Sequence, residues 1–298
     1  MRKVKGFMLL FVMTMSLFLF KGTDVKAADT DNVSVNVPAM VDIVFHEDGT
    51  TSVSDLFLEN QSIYITEDQS LRFIRTSDTV TPGSTYKGMT ITDVFTGFET
   101  ATYSRKEQVP WYDGSWYSNR IMKKVIVEDV IQPVNIAYWF YYFYEIEYMD
   151  IRKLDTSKVT DMSSTFYMLG RLSPAHMTLL GIDTLNTSNV TNMKETFFEA
   201  GKNAPNFVLD LSKWDVSKVT NMHWMFYNVG YRSTTFGLGD LSRWNTSNVT
   251  DMYEMFICAG LNANWYLDCS KWDVSKVTSH PYFNDGVQSK VIAPKWVY

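Results

Sequence analysis

Residues 214–230 read WDVSKVTNMHWMFYNVG, and the same pattern returns as LDTSKVTDMSSTFYMLG at 154–170, LNTSNVTNMKETFFEAG at 185–201 and WNTSNVTDMYEMFICAG at 244–260, all aligning without a gap. A fifth copy opens at Trp272 as WDVSKVTSH and breaks off, and a degenerate early one is readable in PVNIAYWFYYF at 133–143. With Ile136, Met162, Met193, Met222, Met252 and His280 as equivalent positions, the periods are 26, 31, 29, 30 and 28 residues. Self-similarity at about 20–50 residues marks an array of stacked units, each of which acquires an interior only when its neighbours cover it.

Within a copy the apolar spacing reads as a short helix. Met222, Met225, Phe226 and Val229 fall at i, i+3, i+4 and i+7, as do Met252, Met255, Phe256 and Ala259, which places them on one helical face. Asp161, Asn192, Asn221 or Asp251 stands just before that face as an expected N-cap, with Glu195 and Glu254 at capping-box spacing from Asn192 and Asp251. Gly170, Gly201, Gly230 and Gly260 follow eight residues after each Met, where a left-handed C-terminal cap requires a residue without Cβ. Upstream, the alternations Val125/Val127, Met149/Ile151, Leu209/Leu211 and Leu267/Cys269 read as short strands that stacking would join into a parallel sheet. Trp214, Trp244 and Trp272, with Leu154 and Leu185 in the same place, read as a core ladder; the Thr, Ser and Asn of TSxVT are expected to satisfy turn backbone groups.

These copies resemble the BspA-like group of bacterial leucine-rich-repeat surface proteins, in the branch whose repeats read W/L-D-T-S-N-V-T-D-M, then M-F and a closing Gly. The likeness covers residues 116–285. It implies an extracellular repeat protein associated with adhesion. The expected fold is therefore an α/β repeat, a leucine-rich-repeat-like solenoid over 116–298, preceded by a small all-β, sandwich-like domain over 28–110. His280 and Pro281 replace the Met and the helix start of the last copy, so that copy is expected to be a terminal cap.

The start of the chain has the form of a secretory leader. Arg2, Lys3 and Lys5 precede an apolar run from Gly6 to Phe20 and then Val25-Lys26-Ala27, so cleavage is expected after Ala27 and residues 1–27 are read as a signal peptide. The run is too short for a retained membrane span, and neither a nearby cysteine nor an apolar C-terminal tail suggests an anchor, so no membrane insertion is expected after processing. The leader carries five of the 27 basic residues and one of the 33 acidic ones, and its removal takes the net charge from −6 to −10. Such a chain lacks the positive field that phosphate backbones select, which argues against nucleic acid as a partner. Cys258 and Cys269 are the only cysteines; they could form one bridge or remain thiols, but they cannot make a disulfide scaffold.

In residues 28–110 the runs Val33/Val35/Val37, Val41–Phe45, Val53–Leu58, Ile63–Ile65 and Leu71–Ile74, with a turn at Glu47-Asp48-Gly49, read as the strands of the β module. WYDGSWY at 111–117 is read as the joint between the two parts. His46, His176, His223 and His280 lie far apart in sequence, outside any ligand spacing, and no phosphate loop or nucleophile elbow occurs. No enzyme, metal or cofactor is expected. Two surfaces stand out as binding candidates. One is the run Tyr138–Tyr148, whose Tyr138, Tyr141, Tyr142 and Tyr144 point away from the inward stripe; they either meet a ligand or seal the junction with the β module. The other is the variable edge between copies, with Arg171, Lys202, Tyr231, Arg232 and Trp265. The expected function is binding or adhesion outside the cell to an extracellular protein, with glycan binding or a structural spacer as the alternatives.

Overall fold

A computed structural model of the chain describes residues 44–45, 51–52, 59–76, 80–112, 121–172 and 177–297. The leader at 1–27, most of the strands and the turn read between 33 and 58, His46, His176 and the WYDGSWY tract beyond Tyr112 lie outside the described residues. The chain divides into two compact units, Met1–Leu56 and Phe57–Tyr298. In the first, β1 (Val44–Phe45) pairs antiparallel with β2 (Thr51–Ser52).

The second unit holds β3 (Glu59–Ile65), β4 (Ser70–Thr76), β5 (Thr85–Tyr86), β6 (Met89–Thr90), β7 (Asp93–Phe95), β8 (Lys124–Val127), β9 (Tyr148–Asp150), β10 (Thr178–Leu180), β11 (Asn206–Val208), β12 (Thr235–Gly237), β13 (Leu267–Asp268) and β14 (Val291–Ile292). Six of these form one sheet in the order β10-β9-β8-β4-β3-β7. The β3–β4 hairpin is antiparallel, and its β4 edge then pairs in parallel with β8, Leu71 opposite Val125 and Phe73 opposite Val127. The expected sandwich-like domain is therefore corrected. The hairpin belongs to the same sheet as β8, β9 and β10, and it covers the edge that β8 would otherwise expose. Both faces of β3 are buried: Ile63 and Ile65 pack with Ile74 and Ile91, while Tyr64 joins Leu71 and Phe73 in the main core. Phe73, Phe98, Trp111 and Trp139 close this end, with Phe73 stacked on Trp139 at 5.4 Å and the Trp111 indole donating to the Trp139 carbonyl at 2.6 Å.

The expected two-turn helices are absent, and with them the α/β leucine-rich-repeat solenoid: among the described residues there is no α-helix, only two short 3-10 turns at Lys106–Gln108 and Ile182–Thr184. The chain is a β-type structure. From each Met onward the backbone makes a run of turns whose N–H groups alternate between two partners. Those of Met193, Glu195, Phe197 and Glu199 donate to Asn221, His223, Met225 and Tyr227 in the next copy, at 2.8–3.0 Å. Those of Thr196, Phe198 and Ala200 donate three residues back, to Met193, Glu195 and Phe197. Met162–Leu169, Met222–Val229 and Met252–Ala259 repeat the scheme. Each turn has positive φ at its third residue, as type II turns require: Ser164 and Met168, Glu195 and Glu199, Trp224 and Asn228, Glu254 and Cys258 lie between 50° and 58°.

The reason the pattern misleads is geometric. A turn closing every four residues returns i, i+3, i+4 and i+7 to one side, as a helix of period 3.6 does, and over nine residues the two periods barely separate. What separates them is the partner of the backbone N–H, here a neighbouring copy. The expected N-caps act as turn formers: Asp161, Asn192, Asn221 and Asp251 each accept the N–H two residues on, at 2.8–3.1 Å. Their rows pair in register, Asp161 with Asn192, Asn221 and Asp251 in succession. The expected capping boxes are not made; Glu195 accepts the Ser164 hydroxyl and Glu254 the Trp224 indole N–H, both in the preceding copy.

Packing follows the rows. Met162, Met193, Met222 and Met252 are fully buried. Phe140, Phe166, Phe197, Phe226 and Phe256 stack at 5.6, 5.1, 5.8 and 5.2 Å. Trp214, Trp244 and Trp272 are buried and donate to the carbonyls of Ile182, Leu211 and Leu241. Each fully buried Phe contributes roughly 1.5–3 kcal/mol, which only a neighbour's ring makes available. The repeated threonines bind copy to copy as well: Thr191, Thr220, Thr250 and Thr278 hydroxyls donate to Thr160, Thr191, Thr220 and Thr250 carbonyls. The upstream strands pair only in pieces, β11 with β12 and β13 with β14, beside the six-stranded sheet.

Candidate binding surface

After Met222 and Met252 the residues one, two, five and six places on are only half-buried, and the fifth place is half-buried in every copy from Ile136 to Met252. The fifth place is occupied by Tyr141, Tyr167, Phe198, Tyr227 and Ile257. Its rings stack at 4.6, 4.6 and 4.8 Å with planes 21°, 5° and 3° apart, and all four aromatics are half-buried. Beside this ladder His223 stacks on Tyr253 at 4.9 Å, and the His223 Nδ1 lies 3.1 Å from an Asp251 carboxylate oxygen. Stacked at this spacing, the rings cover one another's faces; edges and hydroxyls are what they turn outward. Burial first, and Tyr142 second, push the phenols of Tyr141 and Tyr167 upward, with Glu195 adding to both, so both stay neutral.

The candidate tyrosines of the first copy adjoin the head of this ladder. Tyr138 and Tyr142 occupy the two positive-φ turn positions, at 62° and 65°. Tyr138 packs on Tyr141 at 5.7 Å and Tyr142 on Tyr144 at 5.0 Å. The Lys106 ammonium sits over the rings of Tyr112, Tyr141 and Tyr142 at 5.4, 5.1 and 4.9 Å. Lys106 and Tyr112, upstream of the repeats, thus reach these tyrosines. Nothing in the sequence around Lys106 or Tyr112 signals it.

The variable edge brings four of its five candidates together. Arg171, Lys202, Tyr231 and Arg232 line one cleft of about 560 Å3, with Tyr227 and Asn228 among its other walls. Glu199, 7 % exposed, lies beneath: it pairs with Arg171 Nε at 2.9 Å and with the Lys202 ammonium, and accepts from the Asn228 amide at 3.3 Å. Lys202 also lies over the Tyr231 ring at 5.8 Å. Trp265 is elsewhere; it packs edge-on against Phe236 at 4.8 Å and donates to the Ala259 carbonyl, and it does not line the cleft. Sequence reasoning missed Tyr167, Phe198, Tyr227, Glu199 and Asn228. The ladder had a signal, an aromatic five places after the Met in four successive copies.

The sequence also holds Asn-x-Ser/Thr triplets at Asn186, Asn189, Asn245 and Asn248, and these form turns: Asn186 and Asn245 accept the N–H of Ser188 and Ser247, and Asn189 and Asn248 donate to the carbonyls of Ser157 and Ser217. Cys258 and Cys269 are both thiols. Among the described residues no group of His, Cys, Asp and Glu is placed to hold a metal ion, and no helix is long and apolar enough to cross a membrane.

Fold and surface together define an all-β protein of stacked repeats with an outward aromatic ladder. Residues 134–236 and 202–289 match the family described as "Mycoplasma protein of unknown function, DUF285", more than half of the chain, and the chain belongs to that family. No curated protein and no solved structure matches it.

Proposed function

We propose that this is an exported bacterial surface or secreted protein of the BspA-like kind, acting outside the cell by holding the outer face of its repeat stack against a protein ligand. The observation that carries the reading is the ladder Tyr141–Tyr167–Phe198–Tyr227, half-buried and stacked at 4.6–4.8 Å. Tyrosine edges and hydroxyls supply rigid, amphipathic contact area at low entropic cost, the composition protein interfaces favour. Sugar rings stack on open aromatic faces, and in this ladder the faces are covered by the neighbouring rungs. The expected leader, the acidic balance and the absence of catalytic spacings in the sequence agree with a binding role in the extracellular space.

The test is a protein array and a glycan array probed with the chain lacking residues 1–27, beside a Tyr167→Ser/Phe198→Ser variant whose melting temperature is recorded. The expected result is a set of protein ligands that the variant loses while remaining folded. Glycan binding alone, or protein binding that the variant retains, overturns the proposal.

A further inference from the structure

The cleft at the variable edge has a charge that its surroundings do not. Three cations line it, Arg171, Lys202 and Arg232, in a chain whose net charge is −6. Glu199 answers only part of that charge, through its pairs with Arg171 and Lys202. Asp285 acts on Cys258 and Glu254 on Tyr227 from behind the walls, but no acidic residue lines the cleft itself. Arg232 is exposed and makes no ion pair among the described residues. A positive concavity on an acidic protein selects an anion.

The cleft is also held in shape. Glu199 is almost fully buried and fixes Arg171 and Lys202 from below, while its Asn228 contact ties it to the next copy. Donors held in place before binding lose less freedom when a ligand arrives. Tyr227 belongs to two structures at once: it is the last aromatic rung of the ladder and a wall of the cleft. A partner lying along the ladder therefore runs into the cleft at its end.

We propose that this cleft receives a carboxylate side chain from an acidic segment of the protein partner, with the Arg232 guanidinium as its main fork donor and Arg171 and Lys202 completing the charge. Planar guanidinium groups pair with carboxylates through two parallel hydrogen bonds, which gives direction as well as attraction. The inference rests on the protein-ligand reading of the ladder and names the chemistry of one end of it.

The experiment is calorimetric titration of the chain lacking residues 1–27 with a glutamate-rich decapeptide, its glutamine counterpart and polygalacturonate. The glutamate peptide is expected to bind at least about tenfold more tightly than the glutamine one, with affinity falling as salt rises. Arg232→Ala, at an exposed side chain, is expected to keep the melting temperature and lose about tenfold in affinity, and Arg232→Lys to recover part of it. Equal binding of the two peptides, an unchanged Arg232→Ala affinity, or preference for polygalacturonate over the peptide overturns the inference. The Tyr167→Ser/Phe198→Ser variant separates the two claims: if it loses its protein ligands while the glutamate peptide never binds, the ladder reading stands and the cleft assignment falls.

Discussion

Phe197 lies face to face with Phe226 of the next copy, ring centroids 5.8 Å apart and planes 6° apart, and neither ring touches solvent. One residue further along, Phe198 and Tyr227 stack more closely, at 4.8 Å and 3°, but half-buried on the outer side. The same stacking geometry therefore occurs in two environments. Phe226→Ala opens a cavity between two copies and is expected to cost ~3–5 kcal/mol. Tyr227→Ala loses a ring contact at a wet surface, worth about 1 kcal/mol. Urea melts of the two variants check this; equal midpoints would mean that the inward and outward columns are assigned wrongly.

Gly201 offers a sharper probe of the turn. Its φ is +58°, and a Cβ there would come within 2.1 Å of the Phe207 ring. At Gly83 φ is +89° and a Cβ would meet nothing within 4 Å. Gly83→Ala is expected to cost about 1 kcal/mol from backbone conformation alone, and Gly201→Ala ~2–4 kcal/mol because overpacking is added. Calorimetric melting of both variants measures the difference, and equal shifts would show that Phe207 gives way without cost.

The repeat, its period and its inward residues were legible because burial depends on which side of the chain a residue faces, and Met193, Phe197, Met222 and Phe226 declare that side by spacing. The backbone was not legible. Glu195, Trp224 and Glu254 sit at φ between 51° and 58°, yet none is the Gly or Asn that usually marks such a turn. The left-handed conformation is imposed by rung hydrogen bonds between copies, a property of the stack that no single copy carries. For the same reason Arg171, Lys202, Tyr231 and Arg232 were readable as one variable edge, while nothing in the spacing singled out Glu199, which organises Arg171 and Lys202. The fusion of β4 to β8 was hidden too, since strand alternation does not say which strand is the neighbour.

Arg72 anchors that fusion and makes stability depend on pH. It is 8 % exposed, donates to Ser70 at 2.9 Å, and pairs with Asp68 at 2.8 Å and Glu128 at 2.6 Å. Burial pushes both carboxyls up, but this is outweighed for Asp68 by hydrogen bonds from Ser70 and Arg72, and for Glu128 by those from Lys87, Arg72 and Tyr86, so both end below their ordinary values. Lowered folded-state values mean that their stabilisation is complete above the unfolded values of about 4 and is lost as pH falls through the folded ones. Arg72→Met is expected to cost ~2–4 kcal/mol at pH 7, by leaving two carboxylates without their partner. The penalty should shrink below pH 4, where those carboxylates take up protons. A penalty that stayed constant from pH 7 to pH 3 would contradict the assignment.

The two thiols should react on different schedules. Cys258 is half-buried beside the cleft, whereas Cys269 is fully buried in the core. Burial raises both thiols above the ordinary value, Asp285 raises Cys258 further, and Lys202 draws it partly back. Iodoacetamide on the native protein is expected to modify Cys258 alone, faster at pH 9 than at pH 7, because the thiolate is the nucleophile. In denaturant without reductant, mass spectrometry should show both sites alkylated. A denatured, unreduced chain that took up no label would establish a disulfide.

Lys106 is the last element to test, because it decides whether the tyrosines of the first copy are a sealed junction or an open surface. Its ammonium lies about equally far from the rings of Tyr112, Tyr141 and Tyr142, so three ring faces share one charge. A cation–π contact at a partly exposed site is worth about 0.5–1 kcal/mol. Lys106→Gln keeps the length of the stem and removes the charge, whereas Lys106→Arg keeps a cation able to lie flat on the rings. The Gln variant is therefore expected to lose about 1 kcal/mol, and to admit tetranitromethane to Tyr141 and Tyr142 faster than in the parent chain; the Arg variant should resemble the parent in both respects. Peptide mapping of the nitrated chain reads each ring separately. If Tyr141 and Tyr142 nitrate at the parent rate in the Gln variant, the lysine is a bystander and the seal is made by Tyr112, whose ring stands edge-on to Tyr141 at 6.2 Å.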